Sequence, residues 1–174
     1  DEASIESEAN RLLALHPADG LVPTMAMARL ARLVTVPVNK VVRWGNRAIR
    51  RAPADGRPHQ VVADALLRVG RRSQAAGEFR RAIEKQPWRE LGLIAAVALR
   101  FDDAGRLLAA IPATDRARRR LVESLFRHGR APVAKAVAGE LARENPRSQD
   151  AQVYRARACA HLDDWSWVAP GPYT

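Results

Sequence analysis

Apolar residues recur along the chain at intervals of three and four, in stretches closed by glycine, proline or a short polar residue. Residues 58–69 are the clearest case: Val62, Ala65, Leu66 and Val69 stand at i, i+3, i+4 and i+7, one face of a helix. Gly70 follows where a residue of positive φ ends a helix, and Ser73 is placed to cap the next one. That second helix carries the stripe Ala75, Ala76, Phe79, Ala82 and Ile83, and Pro87 stops it by breaking the hydrogen-bond pattern. So short a connection predicts antiparallel packing. One amphipathic pair cannot bury both of its faces, so neighbouring pairs must stack.

The same reading over the whole chain predicts ten helices. Residues 2–15 form an unpaired first helix, followed by 22–34 with 39–51, in which Pro37 turns the chain and Trp44 is a large core or interface residue. Then come 58–69 with 73–85, 89–100 with 103–110, and 115–128 with 131–143. The last clear helix is 148–162, and Asp163-Asp164-Trp165-Ser166-Trp167 reads as the start of another. Pro87 to Pro112 spans only 25 residues, so the third full pair is short.

Self-similarity supports this layout. The segment Arg47-Ala48-Ile49-Arg50-Arg51-Ala52-Pro53 recurs 34 residues later as Arg81-Ala82-Ile83-Glu84-Lys85-Gln86-Pro87. His16-Pro17-Ala18-Asp19-Gly20 is echoed 36 residues on by Ala52-Pro53-Ala54-Asp55-Gly56. Gly70, Ala75 and Pro87 share their spacing with Gly129, Ala134 and Pro146.

With Gly70, Ala75, Phe79, Ala82 and Pro87 in those places, and Ala63 in the first helix, residues 56–89 resemble a tetratricopeptide repeat. Residues 115–148 resemble it again through Leu121, Leu125, Gly129, Ala134 and Pro146. His59 stands where the family has an aromatic residue, Ala138 lacks the aromatic, and Leu141 replaces a small residue. The resemblance implies an all-α, right-handed α-solenoid of antiparallel helix pairs. It implies one domain over 1–174, with units near 20–53, 54–87, a short 88–112 and 113–146, and terminal helices in 1–16 and 147–168. It further implies a concave partner-binding groove lined by Arg57, Gln60, Asp64, Leu67 and Arg68, and by Arg116, Arg119, Glu123, Phe126 and Arg127. Relatives that clamp a chaperone's C-terminal carboxylate use Lys and Asn there. Gln60 with Asp64, and Arg119 with Glu123, depart from that set and speak against a chaperone clamp.

Composition narrows the core and complicates the surface. With 5% aromatic residues in a 47% hydrophobic chain, the core must be mostly Ala, Leu and Val, which suits close helix packing. The formal charge of +10 invites a nucleic-acid reading. However, only Lys40, Lys85 and Lys135 among the 29 basic residues are lysine, the pattern a GC-rich bacterial coding sequence tends to produce. Aromatics for base stacking are few, which counts against single-strand binding.

Catalytic chemistry finds little to work with. The single cysteine, Cys159, shares an apolar stripe with Ala156 and Leu162 and reads as a packing thiol. His16, His59, His128 and His161 each lie near a helix end, outside any ligand pair, and read as capping or surface groups. Asp102-Asp103 and Asp163-Asp164 read as helix caps. No phosphate loop or nucleophile elbow is present. The expected function is therefore a non-enzymatic scaffold that binds a peptide, acidic or C-terminal, or a partner helix, with no cofactor or metal.

Two alternatives remain: a nucleic-acid-binding repeat, and an accessory domain of a membrane-bound surface-polysaccharide protein. The stretch Trp44 to Ala82, with Arg57-Pro58-His59 and Gly70-Arg71-Arg72-Ser73-Gln74-Ala75, resembles the repeat tails of bacterial O-antigen ligases or polymerases. The chain begins at Asp1 and reads as part of a longer protein, so membrane attachment would come from outside it. Within it no apolar run reaches a membrane span, and a cytoplasmic setting is the default expectation.

Overall fold

A computed structural model describes residues 1–33 and 35–162, and over these the protein is all-α. The ten helices are α1 (Glu2–Leu15), α2 (Leu21–Arg32), α3 (Val38–Arg51), α4 (Arg57–Arg68), α5 (Arg72–Lys85), α6 (Glu90–Arg100), α7 (Ala104–Ala109), α8 (Asp115–Arg127), α9 (Ala131–Glu144) and α10 (Gln149–Leu162). A 3-10 turn, Pro87–Arg89, precedes α6 and was not expected from the sequence. Otherwise the periodicity placed every described helix to within about two residues. The expected helix start at 163–168 lies outside the described residues. No described helix is long and apolar enough to cross a membrane.

The described chain divides into two compact units, one of residues 1–93 with 109–112, the other of residues 94–108 with 113–162. In the first, α1 packs on α2, α2 on α3, α3 on α4 and α4 on α5. Trp44, Met27, Leu30, Phe79 and Ile83 are among its fully buried large side chains, set among alanines such as Ala48, Ala63, Ala75 and Ala82. Those alanines let the helix backbones approach closely. At Gly45 the approach is closer still, for a Cβ there would lie 2.4 Å from Val62 Cγ2. In the second unit α9 packs on both α8 and α10, burying Leu121, Leu125, Val137 and Cys159.

Two of the turns within pairs, α4–α5 and α8–α9, are built alike. Gly70 has φ +74° and Gly129 φ +69°, the left-handed region that favours glycine. Gly70 N–H donates to Leu67 O and Arg71 N–H to Leu66 O, while Gly129 and Arg130 repeat the pattern on Phe126 and Leu125. This is a Schellman closure, and it satisfies the last carbonyls of the first helix. It leaves one residue before the next helix, so Arg71 occupies the N-cap of α5 and Ser73 lies inside its first turn, making no cap. That overturns the expected capping role of Ser73. Asp103 does cap as expected, its Oδ1 accepting from Arg106 N–H at 2.8 Å.

The connections between pairs explain the 36-residue echo. In Pro17-Ala18-Asp19-Gly20 and Pro53-Ala54-Asp55-Gly56, the aspartate N–H donates to the carbonyl four residues before the glycine, and its carboxylate accepts from the backbone two residues on. A basic side chain from the last turn of the next second helix then donates to the proline carbonyl: Arg51 to Pro17, and Lys85 to Pro53. Glycine is required at the fourth position because a Cβ at Gly20 would lie 2.7 Å from Ala52 Cβ, and one at Gly56 2.7 Å from Ala82 O.

Candidate functional site

In the second unit the structure brings together part of the expected groove. Glu123, Phe126 and Arg127 of α8 line an open depression of about 330 Å³ with Arg157 and His161 of α10. The Phe126 and His161 rings stack with centroids 5.0 Å apart and planes at 29°. The Arg157 guanidinium lies 4.8 Å from the Phe126 ring centroid, a cation–π contact. Further along the same face, Arg119 donates to Asp150 Oδ2 at 2.9 Å and to Tyr154 Oη at 3.1 Å. Burial raises the pKa of the Tyr154 phenol, the Arg119 hydrogen bond opposes it, and the Asp150 carboxylate adds to the rise.

Asp150, Tyr154, Arg157 and His161 recur at helical spacing on one face of α10, and sequence reasoning missed them. The signal was present, but it lay on the terminal helix, to which no groove positions were carried. His161 and His128 are exposed, as expected of histidines near helix ends. Arg116 is exposed on the first turn of α8, and Arg127 on its last.

In the first unit the expected residues stay dispersed along α4. Arg57 turns back on its own connection, its Nη2 2.8 Å from Asp55 Oδ2. Burial would raise the Asp55 carboxyl, but the Arg57 hydrogen bonds outweigh it and lower its pKa. Gln60, Asp64 and Leu67 are half-buried and Arg68 is exposed.

His59 corrects the expectation of a capping or surface role. It is buried, and its Nδ1 lies 2.7 Å from Glu78 Oε2, with Arg81 on the other carboxylate oxygen. A carboxylate can only accept, so the proton sits on Nδ1. Nε2 is buried without a partner. Position 59 thus holds an imidazole tied to the partner helix.

Burial raises the Glu78 carboxyl, but the hydrogen bond and charge of His59, followed by Arg81, overcome it and hold its pKa below the ordinary 4.5. The folded chain therefore binds this proton more weakly than the unfolded chain does. Its stabilising contribution is complete above about pH 4.5 and is lost as the pH falls through the lower folded-state value. In urea titrations between pH 6 and about pH 3, Glu78→Gln should be less stable than the parent at the upper end and should lose stability less steeply on acidification. Parallel acid limbs would refute the assignment.

Among the described residues, no group of His, Cys, Asp or Glu is disposed to hold a metal ion. Comparison with protein-family models, curated proteins and solved structures finds no match to this chain.

Proposed function

We propose that the chain is a tetratricopeptide-like binding module that takes an acidic peptide or partner helix across the α8/α10 face. The supporting observation is the convergence of Phe126, Arg127, Arg157 and His161 on one open depression, where two guanidinium groups and a stacked ring pair outnumber the single carboxylate of Glu123. Such a surface suits a carboxylate beside an aromatic or aliphatic side chain. The guanidinium of Arg127 can pair bidentately with the acid, and the Phe126 ring supplies the apolar contact. The helix-pair repeat adds to the reading, because stacked pairs expose extended binding faces.

A fluorescein-labelled twelve-residue peptide of alternating Glu and Phe is the probe, followed by anisotropy. Arg127→Glu with Arg157→Glu should weaken binding by at least about tenfold, roughly 1.4 kcal/mol. Arg57→Glu, which breaks only a local pair, should leave it unchanged. Undiminished binding by the double variant would remove the α8/α10 face from the reading. Tighter, steeply salt-dependent binding of a single-stranded or duplex oligonucleotide would favour the nucleic-acid alternative instead.

A further inference from the structure

A cavity of the first unit lies away from the expected groove: none of Arg57, Gln60, Asp64, Leu67 and Arg68 borders it. It is a trough of about 800 Å³ between the second helices α3 and α5, floored by α4, which packs on both. The floor is aliphatic, formed by Val42, Val62 and Leu66. Uncharged polar side chains line the walls, Asn39 and Asn46 from α3 and Ser73 and Gln74 from α5. None of these four has a side-chain hydrogen bond among the described residues.

Each amide presents a donor and an acceptor, the pair that every residue of an extended backbone also presents. Asn39 and Asn46 are seven residues apart on α3, hence about 10.5 Å along its axis. Three residues of extended chain span about 10 Å. One extended segment of about three residues is thus long enough to reach both amides, and the aliphatic floor offers a seat for one of its side chains.

Charge distinguishes one end of the trough. The N-termini of α3 and α5 lie at that end, and neither has a side-chain cap, Pro37 and Arg71 holding the cap positions. Val38 and Ser73 border the trough there, as does Arg71, whose guanidinium has no partner among the described residues. At the other end Arg81 is already bound to Glu78. The free cation and the two helix N-termini together favour a carboxylate.

We propose that this trough binds an extended segment of another polypeptide, with an aliphatic side chain on the floor and an Asp or Glu side chain at the Arg71 end. Asn39, Asn46, Ser73 and Gln74 hold its backbone. The site is separate from the α8/α10 face and does not depend on the reading given to that face.

Gly77 lies on the α5 wall, and a Cβ added there would meet nothing within 4 Å. Gly77→Leu therefore fills the trough without a clash, and exchanging a helical glycine for leucine favours the helix. The test is phage display of random octapeptides on the full chain, followed by anisotropy with the selected peptides. The expected consensus places an aliphatic residue within three or four positions of an acid. Gly77→Leu should bind these peptides at least about tenfold more weakly with no fall in its thermal midpoint, and Arg127→Glu with Arg157→Glu should bind them unchanged. In two-dimensional NMR the side-chain amides of Asn39, Asn46 and Gln74 should shift on peptide addition. Selected peptides that bind Gly77→Leu as tightly as the parent, that lack the acid, or that fail to enrich above background would each overturn the proposal.

Discussion

Replacing Phe79 with alanine should lower the unfolding free energy by about 3–5 kcal/mol. The ring is fully buried on α5, and its companions on that helix's inward stripe are Ala75, Ala76, Ala82 and Ile83. Ala75, Ala76 and Ala82 beside it are too short to swing into the space, so much of the cavity stays open. The transfer of the ring to water and the void it leaves therefore add. Against a total stability of roughly 5–15 kcal/mol for a domain, the loss is severe. Urea unfolding followed by circular dichroism measures it, with Val153→Ala at an exposed site as the control, expected to stay within about 0.5 kcal/mol. A loss below about 1 kcal/mol at Phe79 would mean that the helix pair can collapse onto the gap.

The second large effect concerns Arg130, at the N-cap of α9. Its guanidinium reaches back to the end of α6, donating from Nη1 to the carbonyls of Ala98 and Phe101 and from Nη2 to Asp102. The last carbonyls of a helix have no partner within it, and a cation there also opposes the helix dipole. One side chain on a later helix therefore closes the short α6. Arg130→Met keeps the aliphatic stem and removes every donor, and should destabilise the chain by about 2–4 kcal/mol, since part-buried carbonyls are left unpaired. Asp102→Asn tests the other half of the contact. That carboxylate is 78% exposed on its side chain, and its loss should change stability by less than about 1 kcal/mol. Comparable losses in the two variants would move the weight from the carbonyls to the ion pair.

The helices were legible because their signals are local. Gly70 and Gly129 announce Schellman turns by residue type, and the 3.6-residue stripe of α5 identifies its buried face. The role of Ser73 was misread because capping depends on how the preceding turn closes, and Arg71 is consumed in that closure. His59 was misread for a different reason. Its partner Glu78 lies nineteen residues away, and only the crossing of α4 and α5 brings the two within 2.7 Å. The α8 half of the candidate face followed from position in the repeat, whereas the α10 half required knowing that α10 faces it. The trough between α3 and α5 could not be read at all. It arises from how far two helices splay, and no single residue records that distance.

The two Pro-Ala-Asp-Gly connections have a genetic consequence. Their sequences and hydrogen bonds are the same, and each ends on a glycine fitted against the close of the following second helix. Removing residues 20–55 would join Asp19 to Gly56 and regenerate an unaltered connection. Lys85 would then face the carbonyl of Pro17 in place of that of Pro53. Unequal recombination at this point can therefore add or delete a whole helix pair in frame without creating a foreign joint. The length of such an array can change faster than its chemistry.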